Sequence, residues 1–331
     1  LTKGGEGMKK IRLAIVGCGI AARDLHYPAL KALNDKFEIV AVTSRTKKHA
    51  EEFAKLVGNP EVFDTYEELL EADYIDAVDL TLPIHLNVPF AIKAVEKGKH
   101  VICEKPISTD VESAKQLLNV SKETNKVIYI AENWRHIKKF RLIKNLLKNF
   151  KEVLYFNWRI FVGMKKDNKY AKTDWRKKPQ HIGGFLSDAG VHHVAAMRLI
   201  FGDIDWVTAY TKDFSDYLSG PDFISTIVEF KNGVIGNYVA SYSFNEEEQF
   251  EIYGKENTLK VLKNKIFYNE KEIDFEENMG YKEEFEDFYE VILNNKENDL
   301  ENCEEAIKDL AFFEAALKSN GNKIKVDALI N

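Results

Sequence analysis

A six-residue motif near the start of the chain restricts the fold more than any other feature. Gly17-Cys18-Gly19-Ile20-Ala21-Ala22 reads G-x-G-x-x-A, and the apolar run Ile11–Val16 stands directly before it. Such a run entering paired glycines predicts a buried strand and a tight turn, and the helical apolar spacing of Ala22–Leu33 predicts a helix beyond it. In that setting Gly17 permits the turn, Gly19 lets a pyrophosphate approach the backbone, and Ala22 allows close helix–sheet packing. Ile20 and Ala21 fall in the first helical turn, where N–H groups and the helix dipole favour an anion.

The motif opens a longer alternation. Apolar runs at Phe37–Val42, Ala77–Leu82, His100–Cys103 and Val127–Ala131 predict strands. Helical patterns at Lys47–Val57, Val88–Lys97 and Val111–Thr124 separate them, with a capping box at Thr65–Glu68. Strands alternating with helices predict a parallel sheet covered on both faces. The expectation is an α/β chain whose residues 8–132 form a doubly wound dinucleotide-binding domain. Residues 133–331 read as a second, α+β domain with an open, mainly antiparallel sheet. Its strands are expected at Glu152–Val162, Trp206–Phe214, Phe223–Phe230 and Val234–Phe244, with a hairpin at Asn232-Gly233. Along the last of these, Tyr238, Ala240, Tyr242 and Phe244 should share one face. A helix is expected at His136–Lys148, and two acidic amphipathic helices at Tyr281–Asn294 and Cys303–Ser319 close the chain. The last is expected to pack back on the first domain, and the acids of Glu283–Asp287 read as a solvated face. Residues 1–7, ahead of Met8, read as a cloning scar or untidy start.

Composition narrows the function classes. With 45% hydrophobic residues the 331-residue chain has material for two cores, which excludes intrinsic disorder. The balance of 47 basic to 53 acidic residues, net −6, does not suit duplex nucleic acid as a partner. No apolar run reaches the roughly 18 residues of a membrane span, and no signal-peptide pattern opens the chain. Three widely spaced cysteines without CxxC offer neither a disulfide framework nor a zinc site. The expected compartment is the reducing cytoplasm.

Where a second strand ends, an acid would bond the ribose 2′-hydroxyl of NAD. Here the segment reads Val42-Thr43-Ser44-Arg45-Thr46-Lys47-Lys48, with no acid. Ser44 and Thr46 can donate to a 2′-phosphate and Arg45 can pair with it, so NADP(H) is favoured. If Arg45 only stacks on the adenine, NAD(H) binds as well.

Two further motifs complete a pattern: Gly98-Lys99-His100-Val101-Ile102-Cys103-Glu104-Lys105-Pro106, with Ala94 four residues ahead, and Gly183-Gly184-Phe185-Leu186-Ser187-Asp188-Ala189-Gly190-Val191-His192. With the glycine turn, in this order, they resemble the Gfo/Idh/MocA oxidoreductases. The resemblance implies a Rossmann domain, an open-sheet C-terminal domain, a nicotinamide cofactor, sugar or polyol substrates, and a homodimer or homotetramer packed through the open sheets. It implies Lys105 and His192 as the acid/base pair, with Asp188 as their support. It places Thr81-Leu82-Pro83, Asn87, Glu104 and Lys105 at the cofactor, and Asn133, Arg135, Trp175, Arg176, Asp188 and His192 at the substrate. The residues supply a physical rationale. Asp188 and His192 are i and i+4 on a helix, whereas His193 points about 140° away. A histidine can take the hydroxyl proton that must leave with a hydride, and an ammonium can stabilise the alkoxide. Which of Lys105 and His192 moves the proton stays open. An Asp188/His192/His193 metal site lacks a second ligand cluster, so no metal is expected. Two positions depart from the family: Asn87 stands where a histidine is common, and Ala195 where an acid is common. Two other readings use the same residues. One is a tightly bound cofactor used transiently for redox-neutral elimination, epimerisation or glycoside cleavage. The other is a dinucleotide-binding regulator without chemistry.

Overall fold

The computed structural model describes residues 9–330; the expected scar at residues 1–7 lies outside them. The described residues form two compact units. The first comprises the chain up to Glu104, Gln116–Ala131 and Tyr281–Cys303, and the second Lys105–Lys115, Glu132–Gly280 and the chain from Glu304 onward.

The first unit is built on six parallel strands: β1 (Ile11–Val16), β2 (Phe37–Thr43), β3 (Glu61–Val62), β4 (Ala77–Leu80), β5 (His100–Glu104) and β6 (Ile128–Ala131). Their order is β3-β2-β1-β4-β5-β6. Strands such as Ala77–Leu80 are buried at every position, as a sheet covered on both faces requires. The helix after the glycine turn departs from the simple expectation. It is a π-helix over Ala22–His26 and an α-helix only over Tyr27–Ala32. Pro28 has no N–H, and a proline ring abuts the carbonyl four residues back, so the wider turn relieves that conflict. The helix Tyr281–Leu293 packs Phe285, Phe288 and Tyr289 around Phe37. Its acids are not uniformly solvated. Glu284 is fully buried, and Asp287 accepts a hydrogen bond from Tyr129.

The second unit carries nine strands. β7 (Val153–Phe161), β8 (Ile204–Lys212), β9 (Phe223–Phe230), β10 (Ile235–Ser241) and β11 (Glu246–Gly254) lie centrally. β12 (Thr258–Leu262), β13 (Lys265–Tyr268) and β14 (Lys271–Ile273) continue past β11, and β15 (Ile324–Lys325) flanks β8. All neighbours are antiparallel except β10 and β7. The Asn232-Gly233 hairpin joins β9 to β10. β10 ends at Ser241, so the expected strand face holds for Tyr238 and Ala240; Tyr242, just past the strand, is still buried, while Phe244 is 42% exposed. The helix Gly184–Phe201 is apolar almost all round and correspondingly buried, with its Phe201 ring on Phe156 and Phe230 of the sheet. A Cβ at Gly190 would stand 2.3 Å from the Phe313 ring, so glycine lets the helix Cys303–Ser319 come close. That helix, apart from its first residue, belongs to this second unit.

Candidate active site

In the first unit the glycine turn lies at the point where the strand order reverses, between β1's neighbours β2 and β4. Gly17 N donates to Thr43 O at 2.9 Å, Thr81 N donates to Val16 O at 3.0 Å, and the Thr81 hydroxyl bonds Gly17 O. Gly17 has φ +95°, and a Cβ there would stand 2.5 Å from Thr81 O, so only glycine fits. At Gly19 no heavy atom lies within 4 Å of a Cβ position. That open backbone face is the room a pyrophosphate needs. The helix begins at Ile20 and Ala21, and Ala22 is fully buried. These residues fit a dinucleotide diphosphate.

Ser44, Arg45 and Thr46 follow β2, with Arg45 and Thr46 exposed. Leu82 and Pro83 continue from Thr81, with Leu82 beside the turn. Asn87 is buried and donates to Glu104 O at 2.8 Å. The Glu104 side chain meets His26, which the sequence reading did not single out. The His26 ring is fully buried, with Nδ1 2.8 Å from Asp79 and Nε2 3.1 Å from Glu104. Burial opposes its charge, but the two carboxylates outweigh burial and hold its pKa well above the ordinary histidine value.

The second unit gathers the remaining candidates. Lys105 Nζ donates to Asp188 O at 2.7 Å and to Asp188 Oδ1 at 3.1 Å. Arg176 Nε donates to Asp188 Oδ2 at 2.6 Å, and its guanidinium lies 4.0 Å from the centroid of the Trp175 ring. Burial would raise the Asp188 carboxyl, but Lys105 and Arg176 hold it far below the usual carboxylate range. Asp188 is therefore engaged with two cations rather than with the imidazole one turn along its helix. The carboxylate on His192 is Glu132, with 2.5 Å between Nδ1 and Oε1. Glu132 is 2% exposed. Burial works against its charge, but His192, Arg135 and Lys105 bring its pKa net below the ordinary value. The Trp134 ring stacks on His192 at 5.5 Å with 12° between planes.

Because a carboxylate only accepts, His192 Nδ1 carries the proton, and a neutral ring presents the Nε2 lone pair. His193 is different. It is 4% exposed, bonds the Tyr238 hydroxyl at 2.6 Å, and is pushed down to about 3, first by burial. Two expected substrate residues are buried and have protein partners. Arg135 is 2% exposed and ion-paired with Asp309, and Asn133 is buried with its amide on Met279 O. Among the described residues no three His, Cys, Asp or Glu side chains converge as metal ligands. The sequence reading missed Glu132. The available signal was an acid one residue past the end of β6, where ligand sites of parallel sheets gather.

A model of the oxidoreductase family, NAD-binding Rossmann fold, matches residues 11–132, and one of its C-terminal alpha/beta domain matches 144–327. The chain belongs to the Gfo/Idh/MocA family. A Gfo/Idh/MocA chain is an oxidoreductase with an NAD(P)-binding Rossmann domain, and this one is an enzyme of that kind. It is similar to an uncharacterized protein of Saccharomyces cerevisiae, at 32% identity over 97% of this chain and 99% of the relative. It is 27% identical to a Haloferax volcanii protein named D-xylose 1-dehydrogenase (NADP(+)) 2, over 68% of this chain and 67% of the relative. Among solved structures, an oxidoreductase from Thermotoga maritima superposes with TM-score 0.95 at 56% identity, covering 97% of this chain and 100% of that one. Among the described residues no helix is long and apolar enough to cross a membrane.

Proposed function

We propose that the protein is a dehydrogenase or reductase, preferring NADP(H), that interconverts a hydroxyl and a carbonyl on a sugar, polyol or related compound. The observation that carries the reading is the Glu132–His192 pair, which fixes the imidazole in the tautomer able to take a hydroxyl proton. A nicotinamide dinucleotide, which Gly17, Gly19 and Ala22 of the glycine turn would hold, would supply the acceptor or donor of the carbinol hydride. Lys105, held at two points by Asp188, donates a hydrogen bond to the substrate oxygen and stabilises negative charge there. His192 Nε2 takes the hydroxyl proton in oxidation and gives it back in reduction, while Glu132 stabilises the imidazolium. Trp134 keeps the ring's plane fixed. Asp188 and Arg176 position Lys105 and present polar edges to neighbouring hydroxyls.

The NADP(H) preference is supported by the Ser44-Arg45-Thr46 tip, which has no acid and in which Arg45 and Thr46 are exposed. The sugar class is supported by the name of the Haloferax relative. We also propose that copies associate through the outward face of the nine-stranded sheet, where Tyr210, Ile227 and Ile235 are each at least 41% exposed. A cofactor-reduction screen over sugars and polyols, with both dinucleotides, tests the reading. Turnover with NADP(H) preferred is expected, and dinucleotide binding without turnover on any of them contradicts it.

A further inference from the structure

Residues 163–180 lead from β7 toward the helix that carries Asp188. They hold six lysines and Arg176 against Asp167 and Asp174, an excess of five positive charges in a chain whose net charge is −6. Surface lysines elsewhere are commonly paired: Lys47 with Asp64 at 2.6 Å, Lys93 with Glu67 at 2.6 Å, Lys255 with Glu152 at 2.7 Å. Lys165, Lys166, Lys172, Lys177 and Lys178 are all exposed and make no ion pair among the described residues. Uncompensated like charge on one segment costs self-repulsion unless a ligand of opposite sign meets it.

The same segment is fastened to the site. Arg176 is 16% exposed, lies over the rings of Tyr170 and Trp175, and spends Nε on Asp188. Nη1 reaches the Thr173 hydroxyl at 3.4 Å, and Nη2 has no partner among the described residues. A guanidinium so braced keeps its orientation and offers a donor edge to a planar or tetrahedral anion. The Tyr217 hydroxyl bonds Met164 O at 2.7 Å, and the Ser219 hydroxyl bonds Lys177 O, so the segment is tied down at both ends.

We propose that the substrate carries an anionic group, a phosphate or a carboxylate, which Arg176 and the flanking lysines of residues 163–180 recognise. The inference rests on reading Lys105, Asp188 and His192 as the reaction site. The lysines raise the local concentration of the anion and speed its arrival, and Arg176 holds it.

The test compares glucose, glucose 6-phosphate and glucuronate at low and high salt. The enzymes are wild type, the triple variant K165E/K166E/K172E, and the control K144E/K148E/K271E, which makes the same charge change outside the segment. The expected result is a kcat/KM at least about tenfold higher for one anionic sugar, reduced by salt. The segment variant should lose about tenfold, through KM, on that sugar alone, and the control should match wild type. The two anionic arms tell phosphate from carboxylate. Equal use of glucose, or an anionic preference that survives the three reversals, overturns the proposal and leaves the proposed function standing. If none of the three turns over, glucose 6-phosphate and glucuronate are titrated calorimetrically into the cofactor-loaded enzyme. Binding lost in the segment variant upholds the proposal, and no binding overturns it.

Discussion

Neighbouring histidines on one helix meet opposite surroundings. His192 lies against a buried carboxylate and an indole face, partly open, while His193 is sealed against Tyr238 and held neutral. Replacing Glu132 with Gln keeps the shape but puts an amide where the acceptor stood, so the tautomer is no longer imposed. E132Q should lower kcat by about 10²-fold or more, within the range for losing general acid–base catalysis. Its cofactor dissociation constant should stay within about twofold of wild type. His26 gives a pH prediction. Its folded-state pKa is raised above the ordinary 6.5, so its stabilising contribution is complete below that value and is lost as pH rises through the folded pKa. The H26L/D79N variant, which removes both the imidazole and the buried carboxyl whose own pKa burial raises, should show a smaller decline of denaturation midpoint with rising pH than wild type. Equal declines would contradict the assignment. At this scale the sequence singled out His192 and Lys105 as candidates through their motifs. It did not show Glu132 or the Asp79–His26–Glu104 contact, because pairs 60 and 53 residues apart are settled by packing that local pattern does not encode.

Among the elements, the glycine turn was the most legible, because its strand, its turn and its helix each need particular residue types. Its two glycines separate fold from binding. G17A puts a Cβ against the Thr81 carbonyl at positive φ, which costs about 1–2 kcal/mol for the dihedral alone, and should lower the melting temperature. G19A meets open space and should leave melting unchanged, yet weaken NADPH binding about tenfold or more, because the methyl stands where the diphosphate belongs. Thermal melts and fluorescence titrations of both variants check the contrast. The π-helical turn was not legible, since Ala22–Leu33 satisfies helical spacing whether or not Pro28 widens it. The fate of Phe244 was equally hidden. Alternation continues past Ser241 in sequence, although the ladder with β9 stops at Ser241.

For the molecule as a whole, alternation of strands and helices was enough to indicate the parallel sheet, and the three motifs in order indicated the family. The proposed NADP(H) preference rests on the Ser44-Arg45-Thr46 tip. R45A should raise the NADPH dissociation constant about tenfold, the worth of one charge-assisted contact, and leave that of NADH within about twofold. The central claim is that His192, oriented by Glu132, moves the proton that accompanies hydride transfer. Single-turnover formation of reduced cofactor, with saturating cofactor and the substrate found by screening, tests it most directly. The H192A variant should be slower than wild type by about 10²–10⁴-fold with cofactor affinity unchanged. A single-turnover rate within twofold of wild type would contradict it.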